Sequence, residues 1–255
     1  MGGDSSRRWR VFIRDALVLG VIASGAVTGP GAPASALTRQ HAPVTLETRA
    51  AMSSPHLAAL VRLGSRGATV RELQRRLSSL GYWLGPRDGV FGDSTQQAVF
   101  ALQKAASLPR DGVVGSRTWR ALERGVRPHA RSSRGYLVEI NLHTDLLLFV
   151  RNARVLVTLN VSTGGGYRYS DGASTALALT PRGVFHVLRQ VDGLVVAPLG
   201  ELWRPKYFVG GYAIHGSASV PPVPVSHGCV RVSIAAINWI WASNRMPLGT
   251  KVWIY

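Results

Sequence analysis

The hydrophobic period of this chain changes once, near Gly135, and that change restricts it to a helical module followed by a strand-rich domain. Before the change, Val70, Leu73, Leu77 and Leu80 mark one face of a helix, and Gly81 ends it. Thr69 with Glu72 has the form of a capping box at its start. A second helix is predicted from about Ser94 to Ala106, with Ala98, Leu102 and Ala105 along its face and Asp93 with Gln96 as its cap. A third begins at Ser116 and carries Trp119 and Leu122. Within this span Asp88-Gly89-Val90-Phe91-Gly92-x-x-Thr95 returns 23 residues later as Asp111-Gly112-Val113-Val114-Gly115-x-x-Thr118. Each copy reads as a tight Asp-Gly turn feeding a helix.

After Gly135, Leu137, Glu139 and Asn141 alternate with Val138, Ile140 and Leu142. Leu146–Val150, a turn at residues 151–154, and Val155–Val161 follow as short strands joined by hairpin turns. Gly164-Gly165-Gly166 and the polar 167–175 segment read as a mobile loop and candidate lid. The three glycines are not a phosphate cradle, since no Lys-bearing helix start follows. Ile234–Asn244 reads as a short helix and Leu248–Tyr255 as a last strand. The expected fold class is α+β: a small three-helix module, then a mostly-β domain.

Thirty Lys and Arg against thirteen Asp and Glu leave a net charge of +17 on 255 residues. A balance so basic favours a polyanionic neighbour: nucleic acid, anionic lipid or an acidic cell-wall polymer. No zinc finger, RNA-binding signature or basic helix supports nucleic acid, which is not expected as a partner. The N-terminus narrows the rest. Arg7, Arg8, Arg10 and Arg14 precede an apolar run from Ala16 to Val27, and Ala34-Ser35-Ala36 follows, the layout of a secretory signal. Gly20, Gly25, Gly29 and Pro30 interrupt the run, which disfavours a membrane span. The expected organisation is a signal peptide at 1–36, a linker at 37–57, the helical domain at 58–125, a basic linker at 126–134 and the β-rich domain at 135–255.

The chain holds one cysteine, Cys229, so no intramolecular disulfide is available. A lone cysteine is more often an inert buried hydrophobe than a nucleophile. This one follows Ser226-His227-Gly228, with His215 fourteen positions upstream and Pro221, Pro222 and Pro224 in the connection. A nucleophilic thiol needs a base, a group to orient that base, and backbone N–H donors for the developing oxyanion. Zinc held by His215, His227 and Cys229 is the competing use, but the spacing matches no short-range ligand pair. No metal and no organic cofactor is expected.

His215, Ser226-His227-Gly228-Cys229-Val230-Arg231 and the turn Thr180-Pro181-Arg182-Gly183-Val184-Phe185 resemble the L,D-transpeptidase (YkuD-type) catalytic domain. Gly67, Val70, Leu73-Gln74, Leu77, Gly81-Tyr82, the two Asp-Gly turns, Ala98-Val99, Gln103 and Thr118-Trp119 resemble the peptidoglycan-binding domain 1 family, with Leu102 in place of the usual Phe. Tyr82 and Trp83 offer faces for sugar stacking, although aromatics in so small a domain are more often core.

The resemblance implies a peptidoglycan-building acyltransferase acting in cell-wall organisation and cell shape. Cys229 would form a thioester with release of D-Ala, and an acceptor amine would resolve it into a 3→3 cross-link. His215 would be the base, oriented by the Gly216 carbonyl, with the N–H groups of His227, Gly228 and Cys229 as candidate oxyanion donors. A neighbouring imidazolium would lower the thiol pKa. Ser226 and Arg231 would brace the turn, and Arg231 would meet a stem carboxylate. The implied partners are stem peptides and glycan, anionic wall polymers, and carbapenems as acylating inhibitors. The implied location is outside the cytoplasm, in the wall or periplasmic space. Hydrolysis at the same cysteine (an L,D-carboxypeptidase) and a non-catalytic wall anchor are the alternatives.

Overall fold

A computed structural model describes residues 60–170 and 175–255. The expected signal peptide, the 37–57 linker and part of the expected lid lie outside the described residues. Three helices come first: α1 (Ala68–Ser79), α2 (Asp93–Ala105) and α3 (Ser116–Glu123). Their entry differs from the expected capping boxes. Gly67, Gly92 and Gly115 stand at the three N-caps, and none of these helices has a side-chain cap. Glu72 instead pairs with Arg75 and Arg76 along the helix, at 2.7 and 2.6 Å.

The turns that feed the helices are tied from below. Gln74, fully buried on α1, donates to Asp88 Oδ1 and Val90 O, both at 3.0 Å, and accepts from Gly89 N–H at 2.8 Å. Gln103 on α2 repeats the arrangement with Asp111 Oδ1 (2.7 Å), Val113 O (3.0 Å) and Gly112 N–H (3.0 Å). The sequence echo is therefore a repeated hydrogen-bond staple, and it satisfies a buried amide at both ends.

The β domain contains β1 (Tyr136–Asn141), β2 (Leu146–Arg151), β3 (Arg154–Asn160), β4 (Arg168–Ser170), β5 (Thr175–Leu177), β6 (Gly183–His186), β7 (Arg189–Gln190), β8 (Leu194–Ala197), β9 (Gly200–Val209), β10 (Tyr212–Ser217), β11 (Val230–Ser233), α4 (Ile234–Ala242) and β12 (Lys251–Ile254). One sheet runs β3-β2-β1-β12-β6 and a second β11-β10-β9-β7, with β8 hairpinned to β9 and β4 paired with β5. The main core lies between the two large sheets, built from Val138, Ile140, Leu147, Phe149, Ile214 and Val232 with Ile237 and Ile240 of α4. The Ser233 hydroxyl caps α4 by accepting from Ala236 N–H at 3.2 Å.

Alternate residues of the first sheet point the other way. Leu137, Leu146, Leu148, Val150 and Val155 join one core with Leu73, Leu77 and Trp119 of the helical module. Strand β2 is buried on both faces, which is why it reads as an unbroken apolar run. The module also closes the sheet edge. Trp83 N–H donates to Thr158 O (3.1 Å) and Thr158 N–H to Gly81 O (2.8 Å), so residues 81–83 extend the sheet past β3. Tyr82 is buried with its hydroxyl on Val126 O, and Trp83 packs on Trp239 of α4 at 5.6 Å between ring centroids. Both aromatics are packing residues.

Residues 126–134 are held down as well. The buried Glu139 carboxylate accepts from the N–H groups of Arg131 (2.9 Å) and Ser132 (2.7 Å), and Arg131 lies over the rings of Trp253 and Tyr255. Among the described residues no helix is long and apolar enough to cross a membrane.

Candidate active site

Strands β10 and β11 are parallel neighbours with Ile214 opposite Val230 and His215 opposite Arg231. Parallel neighbours cannot be joined by a tight hairpin; they need a crossover of about a dozen residues. The connection 218–229 supplies it, so the His-to-Cys spacing in the sequence is the length of that crossover. Cys229 stands one residue before β11. With a side-chain period of two, Cys229 and Arg231 share the face that carries His215. All three line a cavity of about 1010 Å³, together with Arg189, Glu201 and Trp203.

His215 is only 4% exposed, and its Nδ1 lies 3.0 Å from the Gly216 carbonyl oxygen. That contact makes Nδ1 the protonated nitrogen and leaves the Nε2 lone pair unprotonated. Burial pulls the imidazole pKa down to about 4, against the Gly216 hydrogen bond, which raises it; the Arg231 charge lowers it further. Burial also pushes the Cys229 thiol up, opposed by the Ala213 backbone and Arg231. Both shifts favour the neutral forms, since the enclosed site disfavours imidazolium and thiolate alike.

Gly216 has no room for a side chain: a Cβ there would come within 2.5 Å of Ile237 Cγ2 and 3.1 Å of Trp203. Gly228 has φ of 134°, and a Cβ would meet the Tyr212 ring at 2.5 Å and Leu179 O at 2.7 Å. Ser226 braces the turn, its Oγ donating to Cys229 O at 2.5 Å and accepting from Gly228 N–H at 3.0 Å. This corrects one sequence expectation: the Gly228 N–H is engaged by Ser226 and is not a free oxyanion donor. His227 lines the same cavity, its ring edge-on to Tyr167 (5.5 Å) and Tyr169 (4.7 Å). Among the described residues no three His, Cys, Asp or Glu side chains converge as metal ligands.

The segment read as a mobile loop is tied to the same turn. Gly165 N–H donates to Ser226 O (3.0 Å), Gly166 N–H to Ala178 O (2.9 Å), and β4 pairs antiparallel with β5. Thr180, in the Thr-Pro-x-Gly-x-Phe turn, accepts from Gly164 N–H (2.9 Å) and donates to Gly228 O (2.8 Å). Its linking role was not foreseen, although the turn was recognised. The β8–β9 hairpin, which lines the cavity through Leu194, Ala197 and Glu201, was also missed. Its sequence signal is Pro198-Leu199-Gly200 after the apolar run Leu194–Ala197.

Family models match at two places: a peptidoglycan binding domain over residues 66–122 and an L,D-transpeptidase catalytic domain over residues 135–254. The crystal structure of an L,D-transpeptidase segment from Xylanimonas cellulosilytica is 53% identical, with a TM-score of 0.74, covering 76% of this chain and 97% of that one. The chain belongs to the L,D-transpeptidase family. A match over 76% of the chain exceeds the catalytic domain alone, so this family member shares the paired architecture with its relative. Other similarities are shorter. A spore cortex-lytic enzyme of Bacillus cereus is 37% identical over 68 residues, 27% of this chain and 26% of that protein. An N-acetylmuramoyl-L-alanine amidase of Bacillus licheniformis is 38% identical over 87 residues, 32% of this chain and 24% of that protein. The chain thus spans about a quarter of the length of these curated relatives.

Proposed function

We propose that the protein is an exported peptidoglycan L,D-transpeptidase that forms 3→3 cross-links through a thioester on Cys229. The observation that carries this reading is the placement of His215, Cys229 and Arg231 on one cavity face, with Nδ1 of His215 committed to Gly216 O. The cavity is large enough for a peptide stem. Arg231 and Arg189 offer charge to stem carboxylates.

In the first half-reaction the Cys229 sulfur attacks the carbonyl of the third stem residue while His215 Nε2 takes the thiol proton. Deprotonation accompanies attack, since burial works against the separated ions. The N–H groups of His227 and Cys229 are the candidate donors to the oxyanion. The C–N bond then breaks, His215 returns the proton to the departing amine, and D-Ala leaves. In the second half, an acceptor amine attacks the thioester, gives a proton to His215, and the C–S bond breaks with the thiol restored. The same chemistry predicts acylation by carbapenems. The net charge of +17 supports retention beside anionic wall polymers, and the N-terminal pattern supports export.

The test is intact-protein mass spectrometry of wild type and Cys229→Ala with a carbapenem and with a disaccharide-tetrapeptide. A covalent adduct on wild type alone, with D-Ala loss and dimer formation, is expected. D-Ala loss without dimers makes the protein a carboxypeptidase. No adduct on Cys229 in either case makes it a wall anchor. The neutral-pair mechanism has its own readout. Alkylation of Cys229 by iodoacetamide should be slow at neutral pH and rise beyond the ordinary thiol range near ~8.5. Fast alkylation that persists to pH 5 would mean a preformed thiolate.

A further inference from the structure

The crossover that carries Cys229 holds few backbone hydrogen bonds of its own. Pro221, Pro222 and Pro224 lack N–H groups, so the surrounding carbonyls depend on donors from elsewhere. Two come from the helical module. Gln97 Nε2 on α2 donates to Val220 O at 3.1 Å, and its Oε1 accepts from Asn160 Nδ2 at 2.6 Å. Arg110, just after α2, donates to Pro222 O at 3.1 Å. On the other side Ser162 Oγ donates to Val223 O at 2.8 Å and accepts from Val225 N–H at 3.1 Å.

A third side chain of the module reaches the far end of the same turn. Lys104 is 2% exposed and donates to Asp145 O (2.9 Å), Asp145 Oδ2 (3.2 Å) and Val161 O (2.8 Å). Asp145 Oδ1 accepts from the Thr163 hydroxyl at 2.7 Å. Thr163 O accepts from Ser226 N–H at 2.9 Å, and Ser226 holds Cys229. Both ends of the nucleophile loop are therefore fastened to α2 and the residue run that follows it.

We infer that the helical module positions the catalytic loop through Gln97, Lys104 and Arg110, so that Cys229 reactivity depends on the module apart from any wall binding. The inference rests on Cys229 being the nucleophile. None of the three side chains lines the cavity, and they are positioning residues. Each bond is ordinary in strength, but together they hold a loop whose displacement by about 1 Å costs on the order of a hundredfold in rate.

The experiment compares full-length wild type, Arg110→Ala, Arg110→Lys and Gln97→Ala/Arg110→Ala. Stopped-flow acylation by a carbapenem separates the maximal acylation rate from the half-saturating concentration. Sacculus pelleting reads wall binding, and thermal melts read folding. The double variant is expected to lose at least tenfold in maximal rate, with half-saturation and pelleting within twofold of wild type. Arg110→Ala is expected to lose about threefold and Arg110→Lys to recover most of that, since one N–H to one carbonyl suffices. Maximal rates within twofold of wild type for folded Arg110→Ala and the double variant would overturn the inference; so would losses that only follow the melting temperature. If the double variant does not fold, the Arg110 pair decides alone. If wild type forms no adduct with the carbapenem or the tetrapeptide, the transpeptidase reading fails separately. Iodoacetamide then reads the same variants: rates differing more than threefold from wild type support positioning, and equal rates refute it.

Discussion

His215 makes the site sensitive to acid. Its pKa is about 4 in the fold and near ~6.5 in the unfolded chain, so the unfolded state binds more protons between those values. The stability contributed by the neutral ring is complete above pH ~6.5 and is lost as pH falls toward 4, at up to about 1.4 kcal/mol per pH unit. Denaturant melts of wild type should therefore lose up to about 3 kcal/mol more over that window than melts of His215→Gln. Equal slopes would mean that the ring is protonated in the fold. Gly228 sets a second limit. Alanine there meets a left-handed backbone, the Tyr212 ring and Leu179 O together, so Gly228→Ala should cost about 2–4 kcal/mol. It should also abolish acylation. A variant that melts and acylates like wild type would show that the turn relaxes freely. Cys229 and His215 were both legible as the candidate nucleophile and base, because a spaced motif around a unique cysteine survives without coordinates. Their protonation states were not, since burial is a property of the surrounding chain.

At the level of elements, the periodicities at 3.6 and 2 residues placed the helices and strands β1, β2, β3 and β12 within a few positions, and left β7 to β11, which carry the site, unread. The capping boxes failed for a local reason: in each case a glycine, not the Ser, Thr or Asp nearby, takes the cap position. The polar work at those turns is done by Gln74 and Gln103 from the preceding helices. Gln74→Leu leaves the Gly89 N–H and the Val90 carbonyl without that partner, at a cost of about 1–3 kcal/mol. Gln103→Leu should cost a similar amount, and urea melts of the two variants check both. A neutral effect would mean that water reaches the turns. The glycine run at 164–166 misled in the opposite direction. Gly164 is required because Ala178 O and the Thr180 backbone lie where a Cβ would stand. Close packing, not mobility, explains that glycine.

Across the whole molecule, the helical module and the β domain share a core. Removing the module would uncover Leu146, Leu148 and Val150 on one side of the first sheet and reopen the β3 edge. Residues 126–255 alone are therefore expected to aggregate or to bind a hydrophobic dye, measured by size exclusion and ANS fluorescence. A monomer with a cooperative melt would make the module an appendage. The sequence by itself determined the two-part architecture, the repeated turns, and Cys229 with His215 as the candidate reactive pair. Those are encoded in local spacing and side-chain type. Only the tertiary structure decided that β2 is apolar throughout because both its faces are covered. It alone brought Gln97 and Arg110 to carbonyls more than a hundred positions away. It likewise enclosed Cys229 and His215 where burial works against both ionised forms. Each of these depends on contacts between segments distant in the chain, and their burial and desolvation arise only when those segments meet.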